Sequence, residues 1–143
     1  MKNVWFAGVH ADVGGGYPDG ESGLAKVAFA WMVREARRAG LLVDDAALNA
    51  ELGMAPGKHG QRQAAADGTG PLHRSLRGLW WLFEWLPRRQ WFPADGKLHW
   101  SWGPAQPRRM PDPPLVHQSV EERRKSVPAY RPVNLPATCV IEP

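Results

Sequence analysis

Three consecutive glycines, Gly14–Gly16, follow a short apolar segment after four intervening residues and constrain the fold more than any other feature of the chain. The apolar segment, Val4–Val9, contains β-favouring residues and predicts a buried strand. A run of glycines loses much conformational entropy in a strand or helix, so His10–Gly20 is predicted to be a loop. Apolar side chains then recur at helical spacing over Ser22–Gly40, with a serine at the N-cap and a glycine at the C-cap position. Strand, glycine loop and long amphipathic helix in this order predict an α/β fold.

The middle of the chain predicts two further helices separated by a loop. Asp44–Leu52 is predicted to be a short helix. Residues 53–70 contain almost no large apolar side chains and predict a mobile loop. Leu72–Arg89 follows Pro71, a residue tolerated in the first turn of a helix, and carries apolar side chains on more than one face. It is predicted to be a second, Trp-rich helix.

Proline dominates the last third of the chain. Of the 14 prolines, 11 lie at or after Pro87, so residues 103–143 are predicted to form an irregular, Pro-rich surface tail. Shorter patterns predict a strand at Leu98–Trp102, a helix at Ser119–Ser126 and a strand at Thr138–Ile141. The length fits one domain, or a piece of a larger one, and we assign residues 1–143 to a single domain.

Composition excludes several classes of protein. The single Cys139 excludes an internal disulfide framework and a multi-cysteine zinc site. The net charge of +4 is mild, and the basic residues are scattered with no legible nucleic-acid module, so no nucleic-acid partner is predicted. No segment approaches the ~20 apolar residues that span a bilayer, and Met1–Phe6 is not followed by the apolar region of a secretory signal. The default expectation is therefore a cytoplasmic protein.

Tryptophan is unusually abundant, with six of the eight tryptophans lying from Trp80 to Trp102. Tryptophan has a large apolar body and one hydrogen-bond donor, which suits protein cores, interfaces and the headgroup zone of membranes. A core role for the Trp-rich helix is favoured, because helices that are apolar all round are most often buried. Docking at a lipid or membrane interface is the alternative.

His10 and Asp12 stand where the predicted strand meets the glycine loop, a place where α/β proteins carry catalytic residues. A neutral imidazole at His10 fits a general base for a nucleophile on a neighbouring strand, and a structural hydrogen bond is the alternative. Asp12 fits a group that orients a neighbour, a cation ligand or the cap of an Asx turn. Gly14–Gly16 fit either exposed backbone N–H groups for an anion or a close approach beneath a substrate or helix.

No metal or cofactor is predicted. A metal site built from Asp12 and histidines is disfavoured, because no two of the five histidines have the i, i+4 spacing of a metalloprotease helix: His10, His59, His73, His99 and His117. The glycine run matches neither the Walker A loop nor the dinucleotide-binding G-x-G-x-x-G pattern.

Val4–Tyr17 closely resembles the W-F-x-G-x-H-x-D-V-G-G-G-Y signature of an α/β-hydrolase family, domain of unknown function 2235, which includes phospholipase effectors of bacterial type VI secretion. Further stretches are similar to the C-terminal part of that family: Ala28–Gly40, Leu72–Arg89, and Val116–Arg123 with Tyr130–Pro136. The resemblance implies a Ser–Asp–His triad in that chain order. His10 occupies the place of the triad histidine, the general base, with Asp12 beside it, while Gly14, Gly15, Gly16 and Tyr17 form the substrate rim.

The expected nucleophile is missing from the pattern. None of the serines stands in a G-x-S-x-G elbow, namely Ser22, Ser75, Ser101, Ser119 and Ser126. We therefore expect the C-terminal portion of a lipid ester hydrolase that is inactive alone and is completed by an N-terminal hydrolase segment. The alternative is a non-catalytic binding module that pairs with another chain. The resemblance also raises the expectation of export by a type VI system.

Overall fold

A computed structural model describes residues 2–57, 60–74, 78, 80–92, 95–103, 108 and 110–143, and shows a mixed fold of helices and short strands that is compatible with the α/β class. In chain order the elements are β1 (Val4–Trp5), α1 (His10–Gly14), a 3-10 turn (Asp19–Glu21), α2 (Gly23–Arg38), α3 (Asp45–Glu51), α4 (Trp80–Phe83), β2 (Arg88–Phe92), β3 (Lys97–Ser101), β4 (Leu115–His117), α5 (Gln118–Ser126) and β5 (Val140–Glu142).

A small parallel sheet has the strand order β1-β4-β5. Val116 of the central strand lies between Trp5 and Ile141 in the register and has no exposed surface. Parallel strands require a crossover connection, and helices α1 to α4 lie in the chain between β1 and β4. A connection that contains helices between parallel strands is compatible with the α/β class.

The chain divides into two compact units. The first consists of the residues up to Trp5, Arg74–Gln118 and Ala129–Pro143, and it contains the parallel sheet and the antiparallel pair β2–β3. The second consists of Phe6–His73 and Ser119–Pro128, and it contains α1, α2, α3 and most of α5. The assignment of residues 1–143 to a single domain stays a prediction.

Helix α2 confirms the predicted amphipathic helix. Leu24, Ala28 and Trp31 form its buried face, and the Trp31 ring meets the edge of Phe6 at a centroid distance of 5.7 Å. The helix ends in a Schellman arrangement, because Gly40 has a φ of +95° and its N–H donates to the Arg37 carbonyl at 2.9 Å. The glycine is therefore placed as the sequence predicts.

Residues His10–Gly20, predicted to be a loop, begin with one helical turn. The Val9 carbonyl accepts hydrogen bonds from the N–H groups of Asp12 and Val13 at 3.0 and 3.2 Å. The glycine run does not prevent this turn, because only its last two members, Gly15 and Gly16, have positive φ values. The glycines therefore lie at the end of this helical turn, and the segment is not a loop throughout.

The predicted Trp-rich helix at Leu72–Arg89 is wrong in extent. Within the described part of this segment, only Trp80–Phe83 is helical, and Arg88–Phe92 is a strand; residues 75–77 and 79 lie outside the described part. The strand forms because Trp91 and Phe92 favour β structure and pair with β3. Strand β3 itself confirms the predicted strand at Leu98–Trp102. No helix in the described ranges is long and apolar enough to cross a bilayer.

Residues 103–143 are more regular than the predicted Pro-rich tail. Their described part contains β4, α5 and β5, and it buries Pro114, Val116 and Val120. The prolines lie outside these elements, which explains how a Pro-rich segment supplies regular elements, among them the buried strand β4. The short helix and the last strand are confirmed to within two residues.

The predicted short helix is confirmed by α3, whose N-cap residue Asp44 accepts hydrogen bonds from the N–H groups of Ala46 and Ala47 at 2.9 and 3.2 Å. Residues 53–70 contain no α-helix or strand where they are described. Their mobility stays a prediction.

Candidate functional site

Asp12 holds the turn that carries His10 through hydrogen bonds of its side chain. Its side chain is buried, with 2% of the residue exposed. Oδ2 accepts hydrogen bonds from the backbone N–H groups of Val9 at 3.0 Å and His73 at 3.2 Å. Oδ1 lies 2.6 Å from Nδ1 of the His73 imidazole. Asp12 thus ties the start of α1 to a segment 61 residues further along the chain.

His73 lies between two carboxylates. Its Nε2 is 2.9 Å from Oε2 of Glu21, while Nδ1 faces Asp12. Hydrogen bonding to Asp12, and then to Glu21, raises the pKa of the His73 imidazole above its ordinary value. Carboxylate oxygens only accept, so both contacts are satisfied together when the ring carries both protons. The Tyr17 ring stacks on the imidazole with centroids 3.6 Å apart, which favours a positively charged ring.

Gly8 makes room for Asp12. Its φ is +120°, which L-amino acids with a side chain rarely adopt. A Cβ at this position would lie 2.4 Å from the Cβ of Asp12. The turn before α1 therefore requires glycine here, both for backbone conformation and for space.

His10 is the first residue of α1 and is exposed. Within the described residues, its imidazole makes no hydrogen bond or ion pair, and the contacts of Asp12 go to Val9 and His73 instead. An exposed imidazole of this kind can accept a proton from a bound group and return it. The structure thus gives the two predicted residues different environments. Asp12 is buried and holds the turn by hydrogen bonds, and His10 is exposed to solvent.

The glycine run borders open space. Among the residues that the structure describes, a Cβ at Gly14 or Gly15 would meet no atom within 4 Å, and one at Gly16 would meet only the Ala11 Cβ, at 3.8 Å. The Gly15 N–H donates to the Ala11 carbonyl at 3.0 Å, so this group is already paired. Tyr17 packs on His73. Roles for these four residues at a substrate rim stay predictions.

A buried lysine holds the 3-10 turn that ends at Glu21. Lys26 is 6% exposed, and its Nζ donates to Oδ1 of Asp19 at 2.6 Å, to Oε1 of Gln63 at 3.0 Å and to the carbonyl of Ala64 at 2.9 Å. The hydrogen bond from Lys26 is the main reason why the pKa of Asp19 lies below its ordinary value. Three acceptors match the three ammonium protons, so the burial of this charge is compensated.

The candidate site offers no evident metal cage. In the part of the chain that the structure describes, no three His, Cys, Asp or Glu side chains are grouped so as to hold an ion. Asp12 and Glu21 face opposite nitrogens of His73, so these three groups do not converge on a point. His59, considered in the sequence as a ligand, lies outside the described residues.

Sequence reasoning missed the roles of His73 and Glu21. His73 was considered only as a metal ligand, and Glu21 was not singled out. Their contacts join positions 52 residues apart in the chain, and no local pattern marks such a pair. The residue that a sequence can identify here is Asp12, because it follows the strand and precedes the glycines.

One comparison with known proteins bears on this site. The family model described as T6SS, phospholipase effector Tle1-like, catalytic domain, matches residues 1–35. That segment contains His10, Asp12 and Glu21 but not His73. It is about a quarter of the chain, so it relates the first part to type VI phospholipase effectors. Searches of the curated proteins and of the solved structures returned no significant match.

Proposed function

We propose that this chain supplies the general-base histidine, His10, of a serine-type α/β-hydrolase that cleaves phospholipid esters, in the family of domain of unknown function 2235. One observation carries the proposal. The His10 imidazole is exposed on a turn that buried Asp12 fixes, inside the segment that matches the phospholipase effector family. The site provides a base that a substrate can reach and a rigid support for it.

The chemistry follows from this arrangement. His10 takes the proton of a serine hydroxyl while the serine oxygen attacks the ester carbonyl. The imidazolium then gives this proton to the departing alcohol, which leaves an acyl-enzyme. In the second half, His10 takes a proton from water, the hydroxide oxygen attacks the acyl carbon, and the proton returns to the serine as the fatty acid leaves.

His73 is the less suitable base. Both of its nitrogens face carboxylates, and its raised pKa favours the charged ring, which has no lone pair to accept a proton. Asp12 contacts His73 and Val9, so we assign Asp12 as a positioning residue that holds the turn of His10. Gly14, Gly15 and Gly16 border the open side, where the substrate would lie.

The nucleophile is proposed to come from a complementary hydrolase segment, since none of the five serines stands in G-x-S-x-G. The chain alone is then expected to release no fatty acid from phosphatidylethanolamine or phosphatidylglycerol vesicles. The DNA upstream of this reading frame is the first place to look for a G-x-S-x-G segment. Co-expression of that segment with the chain is expected to produce hydrolysis.

Three results decide this experiment. Fatty acid release that needs both segments supports the proposal. Turnover by the chain alone that His10→Ala abolishes would disprove the need for a second segment. A purified pair of segments without hydrolysis would favour the alternative, a non-catalytic interaction module.

Export through a type VI system is part of the same proposal and rests on the description of the matching family. Its test is the amount of the protein in the culture medium of the native cell, with and without an intact secretion apparatus. Equal amounts in the two media would contradict export by this route.

A further inference from the structure

The antiparallel pair β2–β3 presents an exposed aromatic face. Its register places Arg89 opposite Trp100 and Trp91 opposite Leu98. Side chains that are paired directly, or that lie two positions apart, share a face of a sheet. These four residues, here called the Trp91–Trp100 face, are all exposed, Trp91 to 59% and Trp100 to 71%. The guanidinium of Arg89 lies 5.9 Å from the centroid of the Trp100 ring.

The opposite face of the pair is occupied by contacts within the protein. Arg88 donates two hydrogen bonds to Glu84, at 2.6 and 2.8 Å. The Phe92 ring packs against His99 with centroids 4.7 Å apart. One side of the pair is thus engaged in internal contacts, and the other side presents tryptophan and leucine to solvent.

Further exposed apolar side chains lie next to the pair in the chain. All are more than half exposed: Leu82, Phe83, Trp85, Leu86 and Trp102. The indole N–H of Trp102 donates to the Trp85 carbonyl at 2.9 Å, which joins the end of β3 to the turn after α4. Exposed apolar side chains, aliphatic as well as aromatic, thus lie on both sides of this contact, in residues 82–86 and in the β2–β3 pair.

The same segment carries the excess positive charge of the protein. Residues 74–109 contain seven basic and two acidic residues, while the rest of the chain contains 11 basic and 12 acidic residues. The tryptophan-rich segment has a formal charge of +5, and the remainder is close to neutral. Aromatic and positive groups together match the headgroup layer of an anionic bilayer, where indole rings settle and lysine and arginine are attracted.

We propose that the Trp91–Trp100 face and the adjoining residues 82–86 dock on the surface of an anionic phospholipid membrane. A second copy of the chain is a poorer occupant, because two segments of the same positive charge repel each other. Single-stranded nucleic acid would stack on tryptophan but gains little from the leucines. Each five-residue strand reaches only ~17 Å, so the pair lies on the bilayer and does not cross it. This inference does not depend on the proposed ester hydrolysis.

The test measures binding of the full chain to vesicles of ether-linked lipids, which contain no ester to hydrolyse. One set of vesicles is phosphatidylcholine alone and the other also contains phosphatidylglycerol. We expect co-sedimentation and a blue shift of tryptophan fluorescence with the anionic set, both weakened by salt. Combined Trp91→Ser and Trp100→Ser substitutions are expected to weaken binding at least about tenfold, and Arg89→Gln about fivefold.

The matched control is the combined Leu41→Ser and Leu42→Ser variant, which removes two exposed apolar side chains from the other unit. Its binding is expected to equal that of the wild type. Circular dichroism checks that each variant is folded, and the salt dependence of the wild type needs no variant. Absence of binding to anionic vesicles, equal loss in the control, or Trp-dependent dimerisation or nucleic-acid binding without vesicle binding would overturn the proposal.

Discussion

Nδ1 of His73 lies 2.6 Å from Oδ1 of Asp12, although the two residues are 61 positions apart in the chain. The backbone N–H of His73 also donates to Asp12, at 3.2 Å. A buried carboxylate therefore joins the turn that presents His10 to the segment that ends at His73. The position of His10 depends on contacts made by residues that the substrate need not touch.

Replacement of His73 by glutamine is expected to change how stability depends on pH. The pKa of His73 is raised in the folded protein, so its contribution is fully present below the ordinary histidine pKa of about 6.5 and is lost as the pH rises through the raised value. The free energy of unfolding of the wild type should therefore fall relative to His73→Gln between mildly acidic and mildly alkaline pH. Urea unfolding across this range measures the difference, and parallel pH profiles would contradict the contact.

Substitution of alanine at Gly8 should be far more damaging than at Gly14. At Gly8 the new Cβ would lie 2.4 Å from the Cβ of Asp12 on a backbone with a φ of +120°, and we expect a loss of about 2 kcal/mol or more. Gly14 ends α1, and a Cβ there would meet no atom of the described residues within 4 Å, so Gly14→Ala should be neutral or stabilising by up to about 1 kcal/mol. Denaturant unfolding of both variants checks this, and equal effects would argue against the turn as described.

Loss of the Lys26 ammonium should destabilise the second unit. Lys26→Met keeps the apolar stem but leaves the acceptors at Gln63 and Ala64 without their donor. We expect a cost of about 2 kcal/mol, since Asp19 is half exposed and regains water. Lys125→Met, at an exposed position in the last turn of α5, is the matched control. A similar, small effect of both substitutions on thermal unfolding would show that the buried lysine is not needed.

Local patterns predicted α2 and α3 well. Helical spacing, the cap at Asp44 and the glycine at position 40 act within a few residues, so one stretch of chain contains the necessary information. The partners of Asp12 could not be predicted in this way. The contact between His73 and Asp12 joins distant parts of the chain, and residues 53–70, which precede His73 in the sequence, carry no periodic pattern that would predict it.

In the tryptophan-rich segment, the apolar pattern of the sequence does not decide between helix and strand. A short run of apolar residues fits a helix and a strand equally well, and the pairing partner decides between them. Arg88 and Arg89, at the end of the predicted helix, belong to a strand because β3 lies beside them, a contact that the spacing of apolar residues alone does not show. The prediction of an irregular Pro-rich tail is wrong for a related reason, since Val116 is buried between strands from both ends of the chain.

The role of His10 as the general base is tested most directly by the rate of phospholipid hydrolysis after His10→Gln, measured with the chain and its complementary serine segment together. His10 is exposed and supports no described contact through its ring, so the fold should tolerate this change to within about 0.5 kcal/mol. We predict that the rate falls by about a thousandfold or more at unchanged thermal stability. A variant that keeps the wild-type rate would contradict the assignment of His10 as the base.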